Sequence, residues 1–225
     1  MTATRIPNLQ TATTVADLLH ALGDIPPERV RVVPPIGQAT LEDLINANES
    51  GDGPVCEWVD DTLVEKAVGQ YESWIGSIVN GLFLEFIRGK RLGMLLGEAG
   101  VVRILPRVGR AADVAFVAWA SMPGGKPPPP EDRVPLMVPD LVVEVLSTSN
   151  TRREMERKRG EYFNAGVKHV WEIDPIAKTA RAFTGVESVR DIPVGGTLIA
   201  EDVLPGFQLS LAEVFDLASP TKSEG

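Results

Sequence analysis

Residues 141–146, LVVEVL, constrain this chain more than any other stretch. The run is apolar and rich in β-branched side chains, as a strand buried on both faces requires, yet Glu144 stands in its middle. A carboxylate in that setting is costly unless a cation or hydrogen-bond donors meet it. Thr151 and Glu154 then have capping-box spacing, which predicts a helix start, and Gly166 predicts its end. On that helix Met155, Tyr162 and Phe163 form a stripe facing the sheet, and Lys158 shares their side. Arg153, Glu154, Arg157 and Glu161 are expected to point toward water. Residues 168–174 read as a further strand, closed by Asp174-Pro175. The helix can therefore bring an ammonium back toward the strand that carries Glu144.

A second acid interrupts a second apolar run. In residues 111–119, AADVAFVAW, alternation puts Asp113, Ala115 and Val117 on one face. Between the two acid strands, residues 121–133 hold Gly124-Gly125 and four consecutive prolines, a stiff loop over the site or a solvated crossover. Upstream, residues 70–87 predict an amphipathic helix with Ile75, Val79, Leu82 and Phe86 on its apolar stripe. Glu72 lies at the margin of that stripe near the helix start, a position from which it can enter a site. Residues 55–59 and 62–66 predict a hairpin across Asp60-Asp61, in which Glu57 is a weaker ligand candidate or a cross-strand partner of Lys66. Residues 94–105 read as one or two strands around Gly97 and Gly100, with Glu98 as a turn acid.

The first fifty residues look accessory. Val15, Leu18, Leu19 and Leu22 have helical spacing ended by Gly23, residues 25–37 form a proline-rich connector, and Thr40 opens a short helix. The expected division is an accessory segment over 1–50, a main domain over 51–217 and a polar tail over 218–225. A net charge of −9 argues against a general nucleic-acid coat protein, though not against a local basic groove or a metal among acids. The single cysteine, Cys56, rules out an internal disulfide and fits a reducing, cytoplasmic setting. No run approaches the ~18 apolar residues of a membrane span, and the start shows no secretory pattern, so no membrane partner is expected. Nucleophile-elbow, zinc-protease and Walker motifs are missing, and His20 and His169 lack metal-ligand spacing to each other.

Several pieces carry a resemblance: CEWVDDTLVE at 56–65, ADVAFV at 112–117, PDLVVEVLS at 139–147, KRGEY at 158–162, GVKHVWEIDP at 166–175 and LPGF at 204–207. Together they resemble the PD-(D/E)XK nuclease superfamily and, more narrowly, the Uma-type putative restriction endonuclease family. The resemblance runs from about residue 40 to the last helix and is most specific around Glu144. It implies an α/β, restriction-endonuclease-like core: a central mixed β-sheet flanked by helices. It also implies a metal-dependent endonuclease acting on DNA. Asp113 and Glu144 would hold Mg²⁺ or Mn²⁺, Glu72 would join them, and Lys158 would assist the attacking water. Hard oxygen ligands suit those cations. Two positions depart from the family pattern. Ala112 replaces the proline before the acid, and Leu146 replaces the lysine two residues after Glu144, for which Lys158 is the natural substitute and Arg159 the rival. Cleavage of two strands suggests a homodimer by analogy. The alternatives are a non-catalytic binding or assembly protein on the same scaffold, or a nuclease acting on RNA.

Overall fold

A computed structural model describes residues 12–67 and 69–219. Helices α1 (Val15–Leu22) and α2 (Leu41–Glu49) each begin on a capping box, Thr14 with Asp17 and Thr40 with Asp43. Strands β1 (Cys56–Val59) and β2 (Thr62–Glu65) form the expected hairpin. Asp60 and Asp61 take positive φ at its turn, where short polar side chains tolerate the left-handed region. Helix α3 (Gln70–Ile87) has the expected bounds. Strands β3 (Gly93–Gly97), β4 (Val102–Leu105), β5 (Val108–Arg110) and β6 (Val114–Ala118) follow. The strand–helix–strand unit is β7 (Leu141–Val145), α4 (Arg152–Ala165) and β8 (His169–Asp174). Strands β9 (Thr179–Phe183), β10 (Val189–Ile192), β11 (Thr197–Ile199) and β12 (Gln208–Ser210) lead to α5 (Leu211–Leu217).

The main sheet has six strands in the order β10-β9-β8-β7-β6-β3. It is mixed: β7 and β8 run parallel across the α4 crossover, and the other neighbours are antiparallel. One face is apolar. Ile75, Val79 and Phe83 of α3, with Val214 and Phe215 of α5, pack on Val143, Trp171 and Ile173. The buried line of α3 runs through Ile75, Val79, Phe83 and Ile87, so Leu82 and Phe86 of the expected stripe are only partly buried. Phe83 takes the inner place because its ring meets both Trp171 and Phe207, with centroids 5.9 and 4.4 Å away.

The other face of the main sheet receives α4, and here one expectation fails. Glu154, Arg157 and Glu161 do not point to water; they are buried, and of the four residues expected outside only Arg153 is exposed. A second, antiparallel sheet of four strands, β2-β1-β5-β4, lies on the outer side of α4. Helix α2 covers that sheet in turn, with Leu44 among Cys56, Trp58 and Leu63. The periodicity of α4 reports its own sequence and not this extra layer. The segment around Ala21 to Arg29 also docks on α4, through Arg29 to Glu154 and through Arg157 to the Ala21 carbonyl.

The two strands expected in 94–105 belong to different sheets, β3 to the main one and β4 to the outer one. The proline-rich connection before β7 is a crossover: it runs beside β4, where Arg103 exchanges backbone hydrogen bonds with Pro135 and Met137. Among the described residues, no helix is long and apolar enough to cross a membrane.

Candidate active site

Register decides how the two strand acids meet. Val114 stands opposite Val143 and Ala115 opposite Val142, so Asp113, one residue before β6, falls opposite Glu144. Opposed residues on antiparallel neighbours project to the same face. That face is the one toward α4. Asp113 Oδ2 accepts the Val145 N–H at 2.6 Å, which fixes the acid to the neighbouring strand. Its Oδ1 lies 2.8 Å from Lys66 Nζ, and the same ammonium donates to the Glu98 carbonyl at 3.3 Å. Glu144 is met from α4. The Tyr162 hydroxyl donates to Oε1 at 2.6 Å, and Lys158 Nζ lies 3.6 Å from Oε2 and 3.2 Å from Glu57 Oε1.

Behind this pair the charges continue. Glu57 does not pair with Lys66: Val64 stands opposite it on β2, and on the other side the β1–β5 register brings Arg110 level with it. Arg110 donates to Glu57 Oε2 at 2.6 Å and, through Nε, to Glu161 Oε2 at 2.8 Å. Arg157 donates to Glu161 Oε1 and to Asp60 Oδ2, both at 2.8 Å. Glu172, the β8 neighbour of Glu144, is held by Arg159 and Arg181. Buried charges are tolerable only when paired in this way.

The pairing sets the protonation states. Burial pushes Glu57 upward, but Lys158, Arg110 and Lys66 outweigh it and hold the carboxyl near about 2. Burial also raises Glu144, Lys158 opposes it, and the charges of Asp113 and Glu57 add to the rise, which brings this group to about 7. Glu57 has Arg110 in addition to Lys158, so of the two carboxyls it is the one more firmly held charged. Burial pulls the Lys158 ammonium down, yet Glu144, Glu57 and Glu154 hold it above the usual lysine range. Burial, then Glu144 and Glu57, push the Tyr162 phenol well up, so it remains a donor.

A cleft of about 300 Å³ opens beside Asp113, between α3 and the Gly97–Gly100 turn. Ser73, Gly76, Ser77, Asn80 and Glu98 line it with Asp113. Gly76 lies beside Asp113, and a methyl group there would make an ordinary contact, 3.6 Å from Asp113 Cβ. Of the residues expected at the site, the structure brings Asp113, Glu144 and Lys158 together and leaves Glu72 outside. Glu72 is half-buried, with its carboxylate folded onto Gly69, and it makes no hydrogen bond or ion pair with a described residue. Ser73 takes the inward place and donates to Glu98 Oε1 at 3.1 Å.

A family model described as a putative restriction endonuclease, Uma2, matches residues 40–212. The chain belongs to the Uma2 family. Among solved structures, the chain is similar to a crystal structure from Anabaena variabilis described as a putative nuclease belonging to DUF820. The two are 15% identical with a TM-score of 0.62, and the match covers 72% of this chain and 90% of that chain. A search of curated proteins found no match. The fold is restriction-endonuclease-like, with the mixed sheet and flanking helices that the sequence predicts.

Restriction-endonuclease-like families generally use divalent metals, and the donors present fit such an ion. In this Uma2 protein two carboxylates from adjoining strands share one face, and Asp113 borders an open cleft. Mg²⁺ and Mn²⁺ accept one or two carboxylates and keep several waters. Among the described residues no three acids, histidines or cysteines gather closely enough to ligate one ion, so water and phosphate oxygens would complete the shell. Leu146 is half-buried and lines a separate cleft with Glu172 and Arg181. Two partners at the site escaped the sequence reading. Glu57 is central rather than peripheral, and Lys66 reaches Asp113. A signal for Lys66 existed: alternation along β2 puts it on the face of Val64, which opposes Glu57.

Proposed function

We propose that this Uma2 protein is a metal-dependent endonuclease that hydrolyses DNA phosphodiester bonds. The observation that carries the reading is the opposition of Asp113 and Glu144 on one sheet face next to a cleft. Mg²⁺ or Mn²⁺ held between those acids would lower the pKa of a water and offset charge on the scissile phosphate. The protein's own side chains supply the rest. The Val145 N–H fixes the orientation of Asp113, and Tyr162 fixes that of Glu144. Lys158 stays charged and holds Glu57 and Glu144 in line behind the site. Glu72 would join as a ligand only after its carboxylate leaves Gly69. Plasmid DNA incubated with Mg²⁺ or Mn²⁺ should be nicked, neither chelator-treated protein nor Asp113→Ala should nick it, and an RNA arm reads the sugar preference. Equal nicking by wild type and Asp113→Ala would remove the case for this site.

A second reading, a binding or assembly protein without catalysis, has its own observation. Each of the two acids already holds an ammonium at ion-pair distance, and the lysine at 146 is missing. Mn²⁺ titration by calorimetry separates the two. Binding abolished in Glu144→Gln favours the enzyme, and no binding by the wild type at neutral pH favours the scaffold.

A further inference from the structure

We propose that Lys66 is a movable ammonium at this site: it holds Asp113 while no cation is bound and turns to the cleft when one is. The inference rests on the metal-dependent reading and specifies how that site is kept closed and then completed.

The two lysines are equally buried, each with a side chain 2% exposed, so burial does not choose between them. Their partners do. Lys158 sits between Glu57 and Glu144, and Glu57 is wholly buried with Arg110 on its other oxygen. Leaving that place would take a cation from two buried carboxylates at once. Lys66 sits between Asp113 Oδ1 and the Glu98 carbonyl, and both of those residues form the cleft wall. An ammonium has three donors, and among the described residues only these two acceptors meet them. One of the two is a neutral carbonyl at the long distance of 3.3 Å. Asp113 is therefore its one close charged contact among the described residues, with Glu57 and Glu144 acting on it from farther off.

Asp113 has few oxygens to share. Oδ2 is taken by the Val145 N–H and Oδ1 by Lys66. A divalent cation at Asp113 meets the repulsion of an ammonium 2.8 Å from Oδ1, and a displaced Lys66 has the cleft immediately beyond Asp113 and Glu98. There its positive charge would face a phosphodiester. Lys66 leaves β2 at the end of the hairpin, so the ammonium is donated from the outer sheet instead of from the strand that carries Glu144.

The experiment is Mn²⁺ titration by calorimetry on the full chain, wild type beside Lys66→Met, with plasmid cleavage measured on the same samples. An ammonium this close to a ligand oxygen repels an incoming cation, by about tenfold in affinity even when largely screened. Lys66→Met should bind Mn²⁺ about tenfold more tightly or better, yet cleave far more slowly. That split is not what a structural lysine gives, because loss of structure weakens both. Should the methionine variant fail to fold in chelator, Lys66→Gln, whose amide can still donate to Asp113, is expected to move in the same direction. Unchanged Mn²⁺ affinity in a folded variant, or tighter binding with undiminished cleavage, overturns the role of Lys66 and leaves the nuclease reading intact. Mn²⁺ binding by neither wild type nor variant overturns the nuclease reading and this inference with it.

Discussion

Helices α3 and α4 lie on opposite faces of the same sheet and are buried by opposite means. The inner line of α3 is Ile75, Val79, Phe83 and Ile87, closed by aromatic rings and by α5. The buried surface of α4 includes Glu154, Arg157, Lys158, Arg159 and Glu161, each matched by a charge from another element. An apolar contact is non-directional and tolerates small shifts of its partner. A buried ion pair does not, because each unmatched charge is costly. The difference explains why the partners that fix Glu144 come from the α4 side, while the cleft beside Asp113 opens toward α3. Charges can be kept beside α4 in fixed positions, and the strand acids already have donors that define where their oxygens point.

The contrast can be broken at its hub. Arg110→Met leaves Glu57 and Glu161 without their shared partner and should destabilise the protein by about 3–5 kcal/mol in urea melts at neutral pH. Replacing Glu57 and Glu161 by apolar residues in the same variant should recover part of that loss, the remainder being the partners that Lys158 and Arg157 then give up. Phe83→Ala on the other face should lose a similar amount, about 3–5 kcal/mol, through a cavity that no change of charge repairs. Failure of the triple variant to recover would mean that α4 is held by packing rather than by its ion pairs.

A smaller effect should appear in acid. Glu57 is held near about 2, below its ordinary 4.5, so the folded state releases its proton more readily than the unfolded chain. Its contribution is complete above pH 4.5 and is lost as pH falls from there toward about 2. Stability of Glu57→Gln should therefore fall less steeply than that of the wild type across this window, and equal slopes would contradict the assigned charge. The smallest effect belongs to an α4 pair outside the buried network. Arg152 and Glu156 are bonded at 2.8 Å with side chains 91% and 46% exposed, and Arg152→Ala should cost below about 0.5 kcal/mol.

The same contrast marks what could be read from the sequence. Helix α3, the Asp60-Asp61 hairpin, the strand acids and the Uma2 resemblance were legible, because apolar spacing and intruding charges are local signals. The meeting of Asp113 with Glu144 followed from neighbouring strands once their register was known. The burial of Arg157 and Glu161 was not legible, since a charge beneath a second sheet looks in sequence like a charge in water. Lys66 was half legible: alternation placed it on the face shared with Glu57, but its partner Asp113 comes from another sheet. Glu72 shows the reverse. The helix register put it at the margin, and one step along the helix Ser73 faces the cleft in its place.

Gly23 lies outside the span matched by the family, yet it is in backbone contact with α4. A methyl group on it would meet the Cα of Glu154 at 2.7 Å, and its φ of +105° already suits glycine. Trimming the chain to residues 40–212 would remove this seam along with Arg29, and water would gain a trench leading to Glu154 and Arg157. A version trimmed to the span of the family match should therefore be less stable than the full chain, which parallel urea melts would read.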